Sequence, residues 1–331
     1  MATDAELLAI PTLRQTNLDG REGLKFFSRG KVRDTYSREG KDTLYMITSD
    51  RISAFDKVLP WLVPEKGRTL TGTAAYTFRS TRDITQNHLI DVPDPNVMVV
   101  QKVNVRYPIE FIVRGYIAGS LWKAYAKGKR KIYGYDFPEG LKKNQKLPEP
   151  IVTNTTKAEV GHDMPIESRE DCIAVLEKHM GMTRGEAERN YDEVVEKSVA
   201  VYKRGCAIAG ENGADEVDTK YEWGLLHGAN ILIDEANTPD SSRFVDKKDY
   251  EEKFAKGEEP TWFDKQYVRY YLEGSKWTGD ECGPLPAVPE NVVAEASRRY
   301  QMAHKLVTGQ DLRPLSEPIS EERILKNLKG W

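Results

Sequence analysis

The apolar positions of this chain change rhythm about a third of the way along. Up to about residue 103 they fall in short β-rich runs separated by turns. Residues 31–36 and 43–48 read as paired strands joined by the turn-like stretch 37–42. A helix is predicted from 71 to about 82, and a strand over 97–103 leads into Pro108. A strand over 110–115 and a helix from about 120 to 126 follow. Residues 127–150 are rich in Gly, Lys and Pro and read as an exposed excursion. Helical spacing then returns over roughly 169–180 and 183–212, and again over about 289–308. The order is β-rich first and mixed second, an α+β chain whose boundary falls near 103–108. A nucleotide could bind between two such lobes.

Between the long helical stretch and the last one, charge replaces periodicity. Asp218, Lys220 and Glu222 occupy alternate positions, which on a strand places them on one face. A second strand, 230–234, follows a short turn containing Gly224 and Gly228. If the two pair, Glu222 and Asp234 converge beside a lysine. Two carboxylates beside a lysine suit a hard cation surrounded by phosphates. The plain alternative is a surface hairpin with cross-strand ion pairs. Against it, Tyr221, Trp223, Leu232 and Ile233 give the strands an apolar face to bury, so the other face should line a cleft.

Four more segments carry candidate chemistry. In 28–34, Gly30 at a turn followed by Lys31 and Arg33 suits a phosphate lid, although strand cations are often simply solvated. In 48–56, Ser49, Asp50, Arg51, Ser53 and Asp56 form either a turn or a ligand loop. In 113–120, Arg114 ends an apolar strand and Ser120 can cap the next helix, which makes an anion site. His162 beside Asp163 suggests acid–base work, but no nucleophile motif accompanies it and a structural histidine is the better reading.

Bulk properties narrow the class. Apolar residues make up 39%, enough for one large domain or two modest ones. A net charge of −3 argues against a nucleic-acid coat protein, with a local basic cleft still open. No apolar stretch approaches a membrane span. The acidic first residues lack an apolar signal region and speak against a transit peptide. Cys172, Cys206 and Cys282 are scattered and read as reduced thiols of a cytosolic protein.

Seven stretches, in order, resemble the SAICAR synthetase (phosphoribosylaminoimidazole-succinocarboxamide synthase) family: residues 30–36, 49–56, 64–67, 113–120, 155–159, 218–224 and 240–243. The length and the 127–150 excursion resemble its longer, fungal-type members. Trp223 stands where phenylalanine is expected, aromatic for aromatic. The resemblance implies a two-lobed α+β fold. A β-rich nucleotide lobe (1–104), similar to kinase small lobes and ATP-grasp proteins, would lie over an α+β lobe with C-terminal helices (105–331).

The resemblance also implies an ATP-dependent ligation of the CAIR carboxylate to the amine of L-aspartate, in purine biosynthesis. By it, Gly30, Lys31, Arg33, Lys102 and Lys157 would meet ATP, with residues 101–104 as the adenine hinge. Glu222 and Asp234 would hold Mg²⁺. Asp218 and Lys220 would orient CAIR, and with Lys31 form the catalytic set. Arg114, Ser120 and Arg243 would bind the ribose 5-phosphate, and Ser53, Asp56 and Arg51 the aspartate. The expected partners are small molecules, for a cytoplasmic protein taken as a monomer, with no nucleic acid or membrane. The rival readings are a small-molecule kinase with the same phosphate and metal site, and a nucleotide-sensing regulator. A complex with a pathway partner is also conceivable, although no exposed apolar interface is marked.

Overall fold

A computed structural model of the chain describes residues 2–157 and 164–331. His162 and Asp163, and residues 158 and 159 of the fifth matching stretch, lie outside the described residues. A short helix, α1 (Asp4–Leu8), opens the structure, held by reciprocal bonds between Thr3 and Glu6.

The first sheet is antiparallel. It contains β1 (Leu24–Arg29), β2 (Arg33–Arg38), β3 (Thr43–Thr48), β6 (Leu89–Asp94) and β7 (Val97–Gln101), in the order β1-β2-β3-β7-β6. The strand expected over 31–36 starts at Arg33. Residues 30–32 instead close the β1–β2 turn, and the Gly30 N–H donates to the Arg33 carbonyl at 2.7 Å. The polar run after β3 becomes a hairpin of its own, β4 (Arg51–Ala54) and β5 (Lys57–Leu62). Its turn residues Phe55 and Asp56 both have positive φ, 50° and 60°, as a two-residue primed turn requires.

Helix α2 (Lys66–Ser80) starts five residues before the predicted one. Nothing apolar announces this first turn. It forms because Gly67 lets the backbone meet β3: a Cβ there would lie 2.5 Å from the Thr48 carbonyl oxygen. The hydroxyls of Thr69 and Thr73 bond back to carbonyls one turn earlier.

The second sheet is organised by one long strand. Its members are β8 (Val105–Arg106), β9 (Ile109–Tyr116), β12 (Lys146–Thr156), β13 (Pro165–Ile166), β14 (Ala214–Leu226), β15 (Ala229–Ile233) and β16 (Ser242–Asp246). β14 pairs with β9 and β8 and also with β16 and β15, all antiparallel. The charged hairpin therefore exists, with Glu222 opposite Ile233. Gly224 sits within β14 rather than in the turn, which is made by His227 and Gly228 at φ 50° and 82°.

Helix α3 (Gly119–Ala126) follows β9. The excursion is less exposed than expected: β10 (Lys131–Ile132) pairs with β11 (Tyr135–Asp136), and Ile132 and Leu147 bury against Ile117, Leu121 and Tyr125. Helices α4 (Arg169–Met180) and α5 (Arg184–Glu211) match the predicted helical stretches, and α5 packs on β14. Trp223 is fully buried there, and its indole N–H donates to Ser198 Oγ at 3.0 Å. The departure from phenylalanine thus brings its own partner, since a buried indole N–H needs one.

After α6 (Lys247–Lys256) and α7 (Gln266–Gly274), α8 (Glu290–Thr308) packs on α2, and α9 (Glu321–Asn327) returns to the first sheet. Ile324, Leu325 and Leu328 join Leu13, Leu18, Tyr36, Ile47 and Val97 in one core. Arg323 anchors the segment on Asp94 and Asn96.

Candidate active site

The two sheets face a cavity of about 1390 Å³. Its floor is the polar face of β14, where strand alternation presents Asp218, Lys220 and Glu222 side by side. Each gathers a separate cluster.

Asp218 stands between two guanidiniums. Arg114 of β9 donates to it at 3.2 Å, and Arg243 of β16 binds both its oxygens, one at 2.9 Å. Arg114 also donates to Thr153 Oγ1 at 2.9 Å and to Ser120 Oγ at 3.0 Å. Burial would raise the Asp218 carboxyl, but Arg243 and Arg114 outweigh it and hold the group below the ordinary carboxylate range. Gly119 is needed at the start of α3: its φ is +56°, and a Cβ would lie 2.6 Å from an Arg243 nitrogen. The structure therefore brings Arg114, Ser120 and Arg243 together as the sequence suggested.

Lys220 binds Glu110 at 2.5 Å and lies 3.8 Å from Glu222. Burial disfavours its charge, yet Glu222 and Glu110 together raise its pKa. Glu222 also pairs with Lys157, and with Arg106 at 3.7 Å. Asp234 lies one residue past β15, in the left-handed region at φ 63°. Burial opposes its ionisation, but Arg33, Lys157 and Lys220 hold its carboxyl below the usual range. Glu222 and Asp234 thus share the field of the same two lysines.

Among the described residues no three metal-ligating side chains form a ready metal group. Glu222 and Asp234 still fit a Mg²⁺ ion. They offer hard oxygen ligands where cations already balance them, and Mg²⁺ needs only one or two carboxylates beside phosphates and waters.

The lid residues are placed differently. Lys31 pairs with Asp56 at 2.5 Å across the two hairpins. Arg33 is buried and binds Asp234 at 3.1 Å and Glu235 at 2.5 Å. Lys102 lines the cavity with its ammonium 5.4 Å from the Phe27 ring centre. Ser53 and Asp56 line the cavity and Arg51 does not. Instead Arg51 props the glycine turn from beneath. It donates to the carbonyls of Lys31 (3.0 Å), Arg14 (2.5 Å) and Gly30 (3.2 Å) and to the Asp34 carboxylate (2.8 Å).

Sequence reasoning assigned no role to several lining residues. Glu110 shares a face of β9 with Arg114, a two-step alternation that was available as a signal. Asp240 lines the cavity and is held from behind its wall by the fully buried Lys66, at 2.8 Å, and by Tyr300, which donates to it at 2.5 Å. Lys265 and Arg269 of the α7 region also line the cavity.

A sequence model of the family described as SAICAR synthetase matches residues 26–283 of this chain. The chain belongs to the SAICAR synthetase family. It is 40% identical over 314 residues to the phosphoribosylaminoimidazole-succinocarboxamide synthase of Legionella pneumophila (strain Paris), covering 92% of this chain and 94% of that one. The chloroplastic Arabidopsis thaliana enzyme of the same name is 42% identical over 328 residues, covering 95% and 75%. The fold agrees with a SAICAR synthase of Saccharomyces cerevisiae solved in complex with SAICAR. The TM-score is 0.74 at 32% identity, over 91% of this chain and 99% of that one. As a SAICAR synthetase family member with an α+β fold, the chain is a ligase of purine biosynthesis, and the kinase alternative is not favoured.

Proposed function

We propose that the chain joins the carboxylate of CAIR to the amine of L-aspartate, with ATP converted to ADP and phosphate. One observation carries the reading. The β14 face that carries Lys220 and Glu222 also carries Asp218, two and four residues before them, and Asp218 gathers Arg114 and Arg243, with Ser120 beside Arg114, into an anion pocket that shares one cavity with the glycine turn. A kinase needs the turn and the carboxylates; the second anion pocket supports a phosphorylated co-substrate as well.

A carboxylate is a poor electrophile, because its charge repels a nucleophile and its oxygen does not leave. The γ-phosphoryl group of ATP is transferred to a CAIR carboxylate oxygen, giving an acyl phosphate and ADP. The aspartate amine then attacks the acyl carbon, the C–O bond to phosphate breaks, and the amine loses a proton. Both steps concentrate negative charge, so positioning and fixed cations do most of the work. Arg114, Arg243 and Ser120 hold the ribose 5-phosphate, and Asp218 keeps both guanidiniums aimed. Lys220 faces the reacting carboxylate beside Glu110 and Glu222. Gly30, Lys31, Arg33, Lys102 and Lys157 surround the ATP phosphates; Glu222 and Asp234 would hold Mg²⁺, which would supply neutralisation of the phosphate charge. Ser53 and Asp56 line the aspartate side of the cavity.

We read the chain as a nucleotide lobe (1–104) and a substrate lobe (105–331) on either side of the cavity, with α9 returning to complete the core of the first. We read the protein as a cytoplasmic monomer acting on small molecules; among the described residues no helix is long and apolar enough to cross a membrane. ADP release by the purified chain with Mg-ATP and CAIR, with and without L-aspartate, tests the reading. Release that needs both, with a succinyl-carboxamide product, is expected; release with CAIR alone would return the kinase.

A further inference from the structure

The cavity wall beside the anion pocket is gripped from behind by one carboxylate. Glu259, in the connection after α6, does not line the cavity, yet it collects donors from three parts of the chain. Its Oε2 accepts from Lys143 Nζ at 2.6 Å. Its Oε1 accepts from the Tyr270 hydroxyl at 2.5 Å, and from Asn144 Nδ2 and Trp262 Nε1 at 3.3 Å each. Lys143 and Asn144 belong to the 127–150 excursion and Tyr270 to α7, and all three line the cavity. Trp262 is buried behind that wall.

Two members of the anion pocket lean on these groups. Arg243 lies over Trp262, with its guanidinium carbon 5.6 Å from the ring centre. Asp218 fixes the edge of that guanidinium, and Trp262 supports its face. A buried indole must bring its N–H to an acceptor, so the bond to Glu259 sets how the Trp262 ring is turned. On the other side, the Asn144 N–H donates to the Ile117 carbonyl at 2.9 Å, three residues before Ser120. The Tyr250 hydroxyl donates to the Asn144 carbonyl, also at 2.9 Å. Arg114, in contrast, is held inside the sheet by Thr153 and Asp218. Glu259 therefore joins the segment that carries Ser120 to the ring that supports Arg243.

We infer that Glu259 is a positioning residue of the anion pocket, setting the spacing of Ser120 and Arg243 by clamping the excursion to Trp262 and α7. The inference rests on the ligase reading, in which that pocket holds the ribose 5-phosphate of CAIR. Hydrogen bonds to a phosphate weaken steeply with distance and angle, so a pocket whose two walls drift apart loses affinity without losing any of its own side chains.

Steady-state kinetics of Glu259→Ala and Glu259→Gln test the inference. The alanine variant should raise the KM for CAIR about ten-fold, with kcat and the KM values for ATP and L-aspartate within about two-fold of the parent. The glutamine variant keeps an oxygen acceptor for Tyr270, Asn144 and Trp262, and should bring the CAIR KM back to within about three-fold of the parent. Tyr270→Phe removes a single donor from the same carboxylate and carries the test if the alanine variant does not fold; there the CAIR KM alone should rise about three-fold. A CAIR KM that stays at the parent value in the alanine variant, or in Tyr270→Phe where that variant stands in for it, overturns the inference. An ATP KM that rises as far as that of CAIR also overturns it, because a general loosening of the fold moves the constants together. So does a glutamine variant as impaired as the alanine one. Failure of the ligase reading is seen separately, as ADP release by the parent protein that ignores L-aspartate.

Discussion

At the β14 end of the cavity Asp218 lies buried between two guanidiniums, whereas at the lid end Lys31 and Asp56 meet with 52% and 47% of their side chains exposed. The first pair of contacts sits on three adjacent strands. The second spans the tips of two hairpins. Buried, multiply bonded charges hold a fixed geometry, and breaking one leaves an uncompensated ion. Exposed pairs are weak and exchange readily with a ligand. The floor is therefore shaped before anything binds, and the lid contact is one that an arriving phosphate can replace.

That contrast can be broken in order of expected effect. Glu222→Gln should lower Mg²⁺-dependent kcat by about 10³-fold or more while circular dichroism stays unchanged. Parent-like turnover in that variant removes the carboxylate from the metal site. Arg243→Ala strands Asp218 with a single guanidinium and should raise the KM for CAIR by about 10²-fold, far more than that for ATP. A larger rise for ATP means the anion pocket belongs to the nucleotide.

Arg51→Ala sharpens the comparison, because it touches the lid from beneath without lining the cavity. It leaves Asp34 buried beside the half-exposed Arg29, so unfolding should cost about 2–4 kcal/mol less. The KM for ATP should rise about ten-fold, with that for CAIR unchanged. Equal changes in both constants would make Arg51 a general stability residue. Asp56→Ala should shift stability by no more than about 1 kcal/mol, measured by urea unfolding; a larger loss would mean that the lid is as firmly built as the floor.

The smallest effect concerns pH. Burial pushes the Lys265 pKa down to about 8; Asp240 and Glu235 support its charge while Arg269 and Lys66 oppose it. The protonated form is the cation, so the cavity loses a positive charge as pH rises from about 7 to about 9, and the KM of the anionic substrates should rise over that interval. KM values that stay flat in that interval would show that Lys265 lends its charge to no substrate.

The sequence was most legible where one local rule decides the outcome. β3 and α4 lie where alternation and helical spacing put them, and α5 and α8 are off by no more than a residue at an end. The Asp218–Lys220–Glu222 face follows from strand alternation alone. It was least legible where a tertiary contact decides. The first turn of α2 depends on Gly67 meeting the β3 backbone, and the polarity of residues 64–66 hides it. Arg51 sits in a polar run that suits a ligand loop equally well, and only the fold turns it toward the Gly30 and Lys31 carbonyls. Lys265 and Arg269 come 39 and 43 positions after the end of β14 at Leu226, so nothing local links them to the cavity.

The α9 segment has a consequence for synthesis. The core around Leu13, Leu18 and Val97 is completed by Ile324, Leu325 and Leu328, and Arg323 satisfies the buried Asp94. A nascent chain that has already exposed the first sheet to solvent lacks these partners until some 220 further residues have been made. Emerging at about 5–20 residues per second, the β-rich first third would spend at least about ten seconds with an open apolar face. This third is therefore where a chaperone would be needed, and a ribosome stalled before α9 should leave a protease-sensitive first lobe.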